Sequence, residues 1–156
     1  MPSDDFEELW RDHFRSVTRT AYLITGDAQE AHDCAQEAFA RALQRWSKVG
    51  GMEKPEGWVH RVAMNLAISS ARRRRFPWRI ETPTVAPAPE PPDDGLRRAL
   101  LRLTPAQRAV IALRFYLDWS VQDVAEALGK APGTVRALTH QAMQRLRESL
   151  QETTDE

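Results

Sequence analysis

The chain has 156 residues, enough for one ordinary domain or two small ones, and its 22 basic side chains balance its 22 acidic ones. A single cysteine, Cys34, excludes an internal disulfide and argues against a cysteine-rich zinc site; its alanine-rich, helix-like surroundings predict a buried thiol. No apolar run approaches a membrane span, and the N-terminus has no signal-peptide pattern. We therefore expect a soluble, cytoplasmic protein without membrane insertion.

The balanced total hides five blocks of alternating charge. Residues 1–37 carry nine acidic and three basic side chains, whereas residues 57–80 carry six arginines and no acid. Residues 81–95 carry four acids and no base, residues 96–147 carry nine basic and three acidic side chains, and residues 148–156 carry four acids. The two basic blocks suggest two places for a polyanion such as nucleic acid.

Residues 1–75 predict three helices. The first runs from about residue 5 to 25, the second from 28 to about 47, and the third from about 56 to 75. Asp27 is placed to cap the second helix, with Glu30 in the reciprocal position. The predicted inner faces are Phe6, Trp10, Phe14, Val17, Ala21 and Ile24; Ala31, Ala35, Ala38, Phe39, Ala42 and Trp46; and Trp58, Val59, Val62, Leu66 and Ser70.

Residues 76–95 contain six of the ten prolines, which remove backbone donors and oppose helix formation. We expect an extended, acidic linker between a domain at 1–75 and a domain at 96–150, followed by an acidic tail at 151–156. No strand-like alternation and no glycine-rich phosphate loop is present. The predicted fold class is all-α, with an N-terminal helical bundle and a C-terminal helix-turn-helix domain.

The C-terminal module has strong local start and stop signals. Thr104, Pro105 and Gln107 predict a capped helix start, and that helix is expected to bury Val110, Ile111, Phe115 and Leu117. Further on, Ser120 can cap a helix that Gly129 ends, and Pro132 suits the first turn of the next one. The predicted inner faces of these two helices are Val121, Val124, Ala125 and Leu128, then Val135, Leu138, Ala142, Leu146 and Leu150.

Two helices joined by a tight turn are typical of a helix-turn-helix, which presents its second helix to the major groove of DNA. The other interpretation is an ordinary helical hairpin with a solvated basic face. The four histidines are scattered and form no metal-ligand pair or nucleophile arrangement. We therefore expect no enzyme activity, no catalytic residue, no metal and no cofactor.

Four segments, in this order, resemble one protein family. Residues 27–43 resemble the polymerase-binding helix of bacterial sigma factors, and residues 54–75 resemble their promoter-melting helix. Residues 103–115 and the helix-turn-helix at 120–147 resemble their C-terminal domain. The order and the short linker resemble the extracytoplasmic-function (group 4) type. The resemblance covers nearly the whole chain except the linker and both tails.

The resemblance implies a dissociable subunit of RNA polymerase that reads promoter DNA: the −35 element as duplex and the −10 element as a melted single strand. It implies docking of the second helix on the coiled-coil clamp of the β′ subunit, centred on Asp33, Gln36 and Glu37. The acidic bias of residues 27–37 suits a basic partner surface.

For the −10 single strand, the resemblance implies contacts from Arg61, Asn65 and the run Arg72, Arg73, Arg74 and Arg75. Single-strand capture requires cations for phosphates and surfaces for unstacked bases. For Trp58 we favour core packing over base stacking. Ser69 stands where the family usually has an acidic residue.

For the −35 duplex, the resemblance and the helix pattern together predict Thr134, Arg136, Thr139, His140, Gln141 and Arg145. The family often has Ser-Arg where this chain has His140 and Gln141. Because arginine favours guanine and glutamine favours adenine, the −35 preference is predicted to shift. Ala131 stands where the family commonly has a capping serine.

Two other functions remain open from the sequence. A two-module helix-turn-helix regulator would bind duplex DNA without joining polymerase, although it leaves residues 27–75 unexplained. A helical protein-interaction adaptor would make the basic patches incidental. Many family members are held by an anti-sigma factor, so such a partner is possible here, and the linker is either a passive tether or a functional segment.

Overall fold

A computed structural model describes residues 4–73 and 94–154 of the chain. The chain divides into two compact units, within residues 1–89 and residues 90–156. In the described ranges every regular element is a helix, which confirms the all-α prediction.

The first unit contains α1 (Asp4–Thr25), α2 (Ala28–Gln44), α3 (Trp46–Val49) and α4 (Pro55–Arg73). Helices α1, α2 and α4 all pack against one another. Small side chains allow this close approach, and they are completely buried along α2 and α4: Ala31, Ala35, Ala38, Ala42, Ala63 and Ala67. Larger side chains fill the remaining core: Val17, Ile24, Phe39, Val59 and Met64. Cys34 is buried among them, as predicted.

The second predicted helix ends earlier than expected. Asp27 caps α2 as predicted, because its Oδ1 accepts the backbone N–H of Glu30 at 2.9 Å. Arg45 then leaves helical geometry (φ −112°, ψ 26°), so α2 stops at Gln44 and α3 begins at Trp46. The break places the Trp46 ring edge-on against Phe6, 5.4 Å between ring centroids.

The predicted inner face of α1 is only partly correct. Trp10 was expected inside, but 47% of its surface is exposed. Phe6 and Phe14 are half-buried, while Val17, Ala21 and Ile24 are completely buried. The core therefore lies against the C-terminal two thirds of α1, and the large aromatic side chains near the helix start lie at its margin.

The second unit contains α5 (Asp94–Leu101), α6 (Pro105–Ile111), a π-helical turn (Ala112–Tyr116), α7 (Val121–Leu128) and α8 (Pro132–Thr154). The long α8 packs against α5, α6 and α7. At the start of α6 the predicted capping box is complete: Thr104 Oγ1 accepts the Gln107 backbone N–H at 3.2 Å, and Gln107 Oε1 accepts the Thr104 backbone N–H at 3.1 Å.

Two predicted core positions in this unit are wrong. Phe115 is 56% exposed, and Leu113 is completely buried in its place. The cause is the π-helical turn, in which the Leu117 N–H donates to the carbonyl of Ala112, five residues back, instead of four. The wider turn shifts the phase of the inner face. Near the chain end Leu150 is 41% exposed while its neighbour Ser149 is buried.

Candidate nucleic-acid and polymerase interfaces

Local signals position α8 as the second helix of a helix-turn-helix. Ser120 Oγ accepts the Asp123 backbone N–H at 3.0 Å and starts α7. Gly129 ends α7 in the left-handed region at φ 64°, where a side chain would be strained, and Pro132 opens α8. The buried side of α8 is formed by Val135, Ala142 and Leu146. Its opposite side is therefore presented to solvent.

The six predicted −35 residues fall into two groups on α8. Arg136, Thr139 and His140 line an open cleft of about 640 Å³ on one side of the helix. Thr134, Gln141 and Arg145 do not line it. Five residues correspond to roughly 140° around a helix, so Gln141 lies well away from Arg136. All six are exposed except Thr139, which is half-buried and whose hydroxyl donates to the Val135 carbonyl at 2.7 Å.

The same cleft contains side chains that the sequence prediction did not include as sites. Arg114, Gln144 and Arg147 line it together with Val121 and Met143. The helical spacing from Arg136 through His140 to Gln144 and Arg147 was a signal that could have identified the last two. The cleft therefore brings together three arginines, a histidine and a glutamine amide.

Arg114 was not predictable from helical spacing, because it enters the cleft from the π-helical turn. Its guanidinium donates to the Trp119 carbonyl at 2.6 Å and lies 5.9 Å from the centroid of the Phe115 ring. Asp118, between these residues, has a positive φ of 57°. This turn fixes the Arg114 stem and directs its charge toward α8.

On α4 the predicted single-strand residues form an exposed stripe. Arg61, Asn65 and Arg72 are spaced by four and seven residues, so they share one face, and Arg73 lies beside them. Trp58 is half-buried at the edge of this stripe, so it is neither a fully buried core residue nor a freely exposed platform. The remaining predicted residues, Arg74 and Arg75, lie outside the described residues, as does the linker from residue 76 to 93.

On α2 the predicted polymerase-facing residues are all exposed. Asp33 Oδ1 accepts a hydrogen bond of 2.9 Å from the Gln29 amide, and Glu37 pairs with Arg41 at 3.0 Å. Both pairs are one helical turn apart and solvent-exposed, so each carboxylate is held in place without being removed from the surface. Gln36 lies between them in sequence.

Burial shifts the pKa of two basic groups away from these surfaces. Burial, with a smaller contribution from the charge of His13, lowers the pKa of His60 to about 4, so His60 is neutral at pH 7. Burial also lowers the pKa of Arg108 in α6. Within residues 4–73 and 94–154, no group of three His, Cys, Asp or Glu side chains could hold a metal ion. No helix in those ranges is long and apolar enough to cross a membrane.

Comparison with known proteins assigns a family to both units. The family described as Sigma-70 region 2 matches residues 9–76, and the family described as Sigma-70, region 4 matches residues 93–146. The ECF RNA polymerase sigma factor SigL of Mycobacterium tuberculosis is 36% identical over 155 residues, covering 92% of this chain and 88% of SigL. The RNA polymerase sigma-E factor of Streptomyces coelicolor is 34% identical, covering 94% of this chain and 86% of its own.

A solved structure shares the fold. The sigma factor RpoE of Bartonella quintana, crystallised in complex with the anti-sigma factor NepR, matches with a TM-score of 0.72 and 24% identity, covering 96% of this chain and 98% of RpoE. The region 2 and region 4 matches occur in the same order as the two helical units. The chain therefore belongs to the extracytoplasmic-function group of RNA polymerase sigma factors.

Proposed function

We propose that this chain binds core RNA polymerase and directs it to promoters whose −35 element it reads as duplex and whose −10 element it captures as a melted strand. The proposal rests above all on α8, whose exposed side carries the arginines, glutamines and histidine that base edges and phosphates require. RNA synthesis itself remains with the polymerase.

For the −35 duplex we assign two tasks to the two sides of α8. The cleft side, with Arg136 and His140, contacts the phosphate backbone and fixes the position of the helix. The other side, with Gln141 and Arg145, reaches base edges. The proposal is supported by the angular separation of the two groups, since a helix in the major groove meets a backbone at its margin and bases at its centre. Thr134, in the first turn, and Thr139 complete the set.

For the −10 strand we assign phosphate contacts to Arg61, Arg72 and Arg73 and a base contact to Asn65. Their common exposed stripe on α4 supports this assignment. Arg74 and Arg75 extend the predicted basic run beyond the described residues. Cations along one helix face track a strand of phosphates, and such binding weakens steeply with salt.

For polymerase binding we assign Asp33, Gln36 and Glu37 of α2 to the clamp region of β′. Their exposure and their acidic character support this assignment. The Bartonella quintana relative is bound by an anti-sigma factor, and we propose that this chain also has such a partner. The acidic linker is proposed as a functional segment within the transcription complex.

The proposed function is tested by run-off transcription with sigma-free core polymerase. A randomised promoter library identifies the preferred −35 and −10 elements, and the selected promoter is then transcribed with and without this protein. Promoter-specific transcripts that require the protein are expected. Absent transcripts together with retained duplex binding would indicate a helix-turn-helix regulator that does not join polymerase.

A further inference from the structure

An exposed tryptophan lies beside the proposed polymerase-binding helix. Among residues 4–73, Trp10 and Leu43 are the large apolar side chains that remain strongly exposed, at 47% and 42%. Trp10 belongs to α1 and Leu43 to α2. An exposed tryptophan is uncommon on the surface of a protein that binds nothing there, and tryptophan is enriched among residues that dominate interfaces.

The Trp10 ring is held in place from below. It packs on Phe14 with 4.9 Å between the ring centroids. Phe14 in turn contacts His32 at 5.5 Å and Phe39 at 5.6 Å, both on α2. Trp10 therefore projects from an aromatic layer that joins α1 to α2. A side chain held in this way loses little conformational entropy when a partner covers it.

The geometry of the two helices places Trp10 on the side that faces α2. Phe6 and Phe14, one turn before and one turn after Trp10, both contact Phe39. On α2, Gln36 and Leu43 lie three residues before and four residues after Phe39, so they occupy the neighbouring stripe. Trp10 on one helix and Gln36 with Leu43 on the other thus border the groove between α1 and α2.

We propose that Trp10, with Leu43, forms the apolar centre of the core-polymerase interface, and that the partner is the β′ subunit. This inference deepens the proposed function and rests on it. The surface is continuous with the proposed contact set, because Gln36 and Leu43 share a stripe of α2. An apolar centre with a polar and charged rim is the usual composition of a specific interface. Gln36, Asp33 and Glu37 supply that rim.

The first experiment measures the affinity of the full chain for core polymerase. Trp10→Ala is expected to weaken binding about tenfold or more, and Leu43→Ser is expected to weaken it to a smaller extent. The matched control is Arg15→Ala, an exposed position five residues along α1 and roughly 140° around the helix. It should leave the affinity unchanged. Circular dichroism and thermal unfolding check that each variant remains folded.

The second experiment separates a direct contact from a structural role. A photo-cross-linking amino acid at position 10 is expected to link to β′ in the assembled holoenzyme, which a side chain that only stabilises α1 would not do. If the unaltered chain binds core polymerase but Trp10→Ala binds equally well and no β′ cross-link forms, the inference is wrong. A cross-link to another subunit would also overturn it. If the unaltered chain does not bind core polymerase, the proposed function fails instead.

Discussion

The hydroxyl of Ser70 donates a hydrogen bond of 2.7 Å to the carboxylate of Glu30 and so joins α4 to the first turn of α2. The Glu30 backbone N–H is itself bound to the capping carboxylate of Asp27 at 2.9 Å. Ser70 is buried. One residue, Glu30, thus connects the cap of the proposed polymerase-binding helix to the proposed −10 helix.

Removing that hydroxyl should destabilise the first unit. Ser70→Ala leaves a partly buried carboxylate without this donor, and hydrogen bonds to charged groups contribute roughly 1.5–3 kcal/mol. We expect the free energy of unfolding to fall by about that amount in urea denaturation followed by circular dichroism. The matched control is Ser69→Ala, because Ser69 is the exposed neighbour on the same helix. An equal effect of the two substitutions would contradict the importance of the bond.

The stability of the first unit should decrease in mild acid because of His60. Its pKa is lowered from 6.5 to about 4 in the folded protein, so the unfolded chain takes up a proton first as the pH falls. The difference corresponds to about 3 kcal/mol of lost stability, which accumulates between pH 6.5 and pH 4. Unfolding of the protein and of His60→Gln is compared across that range. The protein should lose more stability on acidification than the variant does, and parallel curves would refute the prediction.

The start of α8 lacks a capping side chain and should accept one. The Ala131 carbonyl accepts the Val135 N–H at 3.1 Å, and Ala131 is exposed immediately before Pro132. Ala131→Ser should stabilise the second unit by about 0.5–2 kcal/mol, since a serine hydroxyl satisfies an unpaired N–H of the first turn. Ala137→Ser, at an exposed position inside the helix, should instead destabilise it by a few tenths of a kcal/mol. Thermal unfolding measures both changes.

The base preference should depend on Gln141. Glutamine pairs with adenine and arginine with guanine through two hydrogen bonds, each discriminating by about 1–3 kcal/mol. Gln141→Arg is therefore expected to change one −35 position from adenine to guanine in a selection from randomised promoters. An unchanged preference would show that Gln141 does not read a base. His140→Ala, on the cleft side, should weaken binding with little change in preference.

The cleft arginine that the sequence prediction omitted should contact phosphate. Arg147→Ala is expected to weaken −35 duplex binding for all sequences alike and to reduce the slope of log affinity against log salt by about one. The control is Arg98→Ala, because Arg98 is an exposed arginine of α5 that does not line the cleft. Fluorescence anisotropy from low to moderate salt provides the measurement. An unaltered slope for Arg147→Ala would exclude a phosphate contact.

The helix boundaries that were predictable depend on interactions within four residues of chain. Asp27, Thr104, Ser120 and Gly129 each satisfy, or adopt the geometry for, a backbone group of their own turn, and all were predicted from the sequence. The errors have longer-range causes. Trp10 fits the apolar period of α1, but its exposure depends on how far α2 extends beside it. Phe115 is exposed because of a π-helical turn that no spacing rule indicates.

The candidate sites follow the same division. Helical spacing predicted that Arg61, Asn65 and Arg72 share an exposed stripe, because one helix determines it. The cleft beside α8 combines Arg136 with Arg114, which is separated from it by α7, so only packing brings them together.

By itself, the sequence determined the all-helical class, the helix caps, the turn before α8 and the family resemblance, because periodicity and capping are local properties of the chain. Only the tertiary structure decided that Glu30 binds Ser70, that Arg114 joins the α8 cleft and that Trp10 lies exposed beside α2. Burial and contacts between helices depend on side chains far apart in sequence, and their free energies are set by the packing of the whole unit.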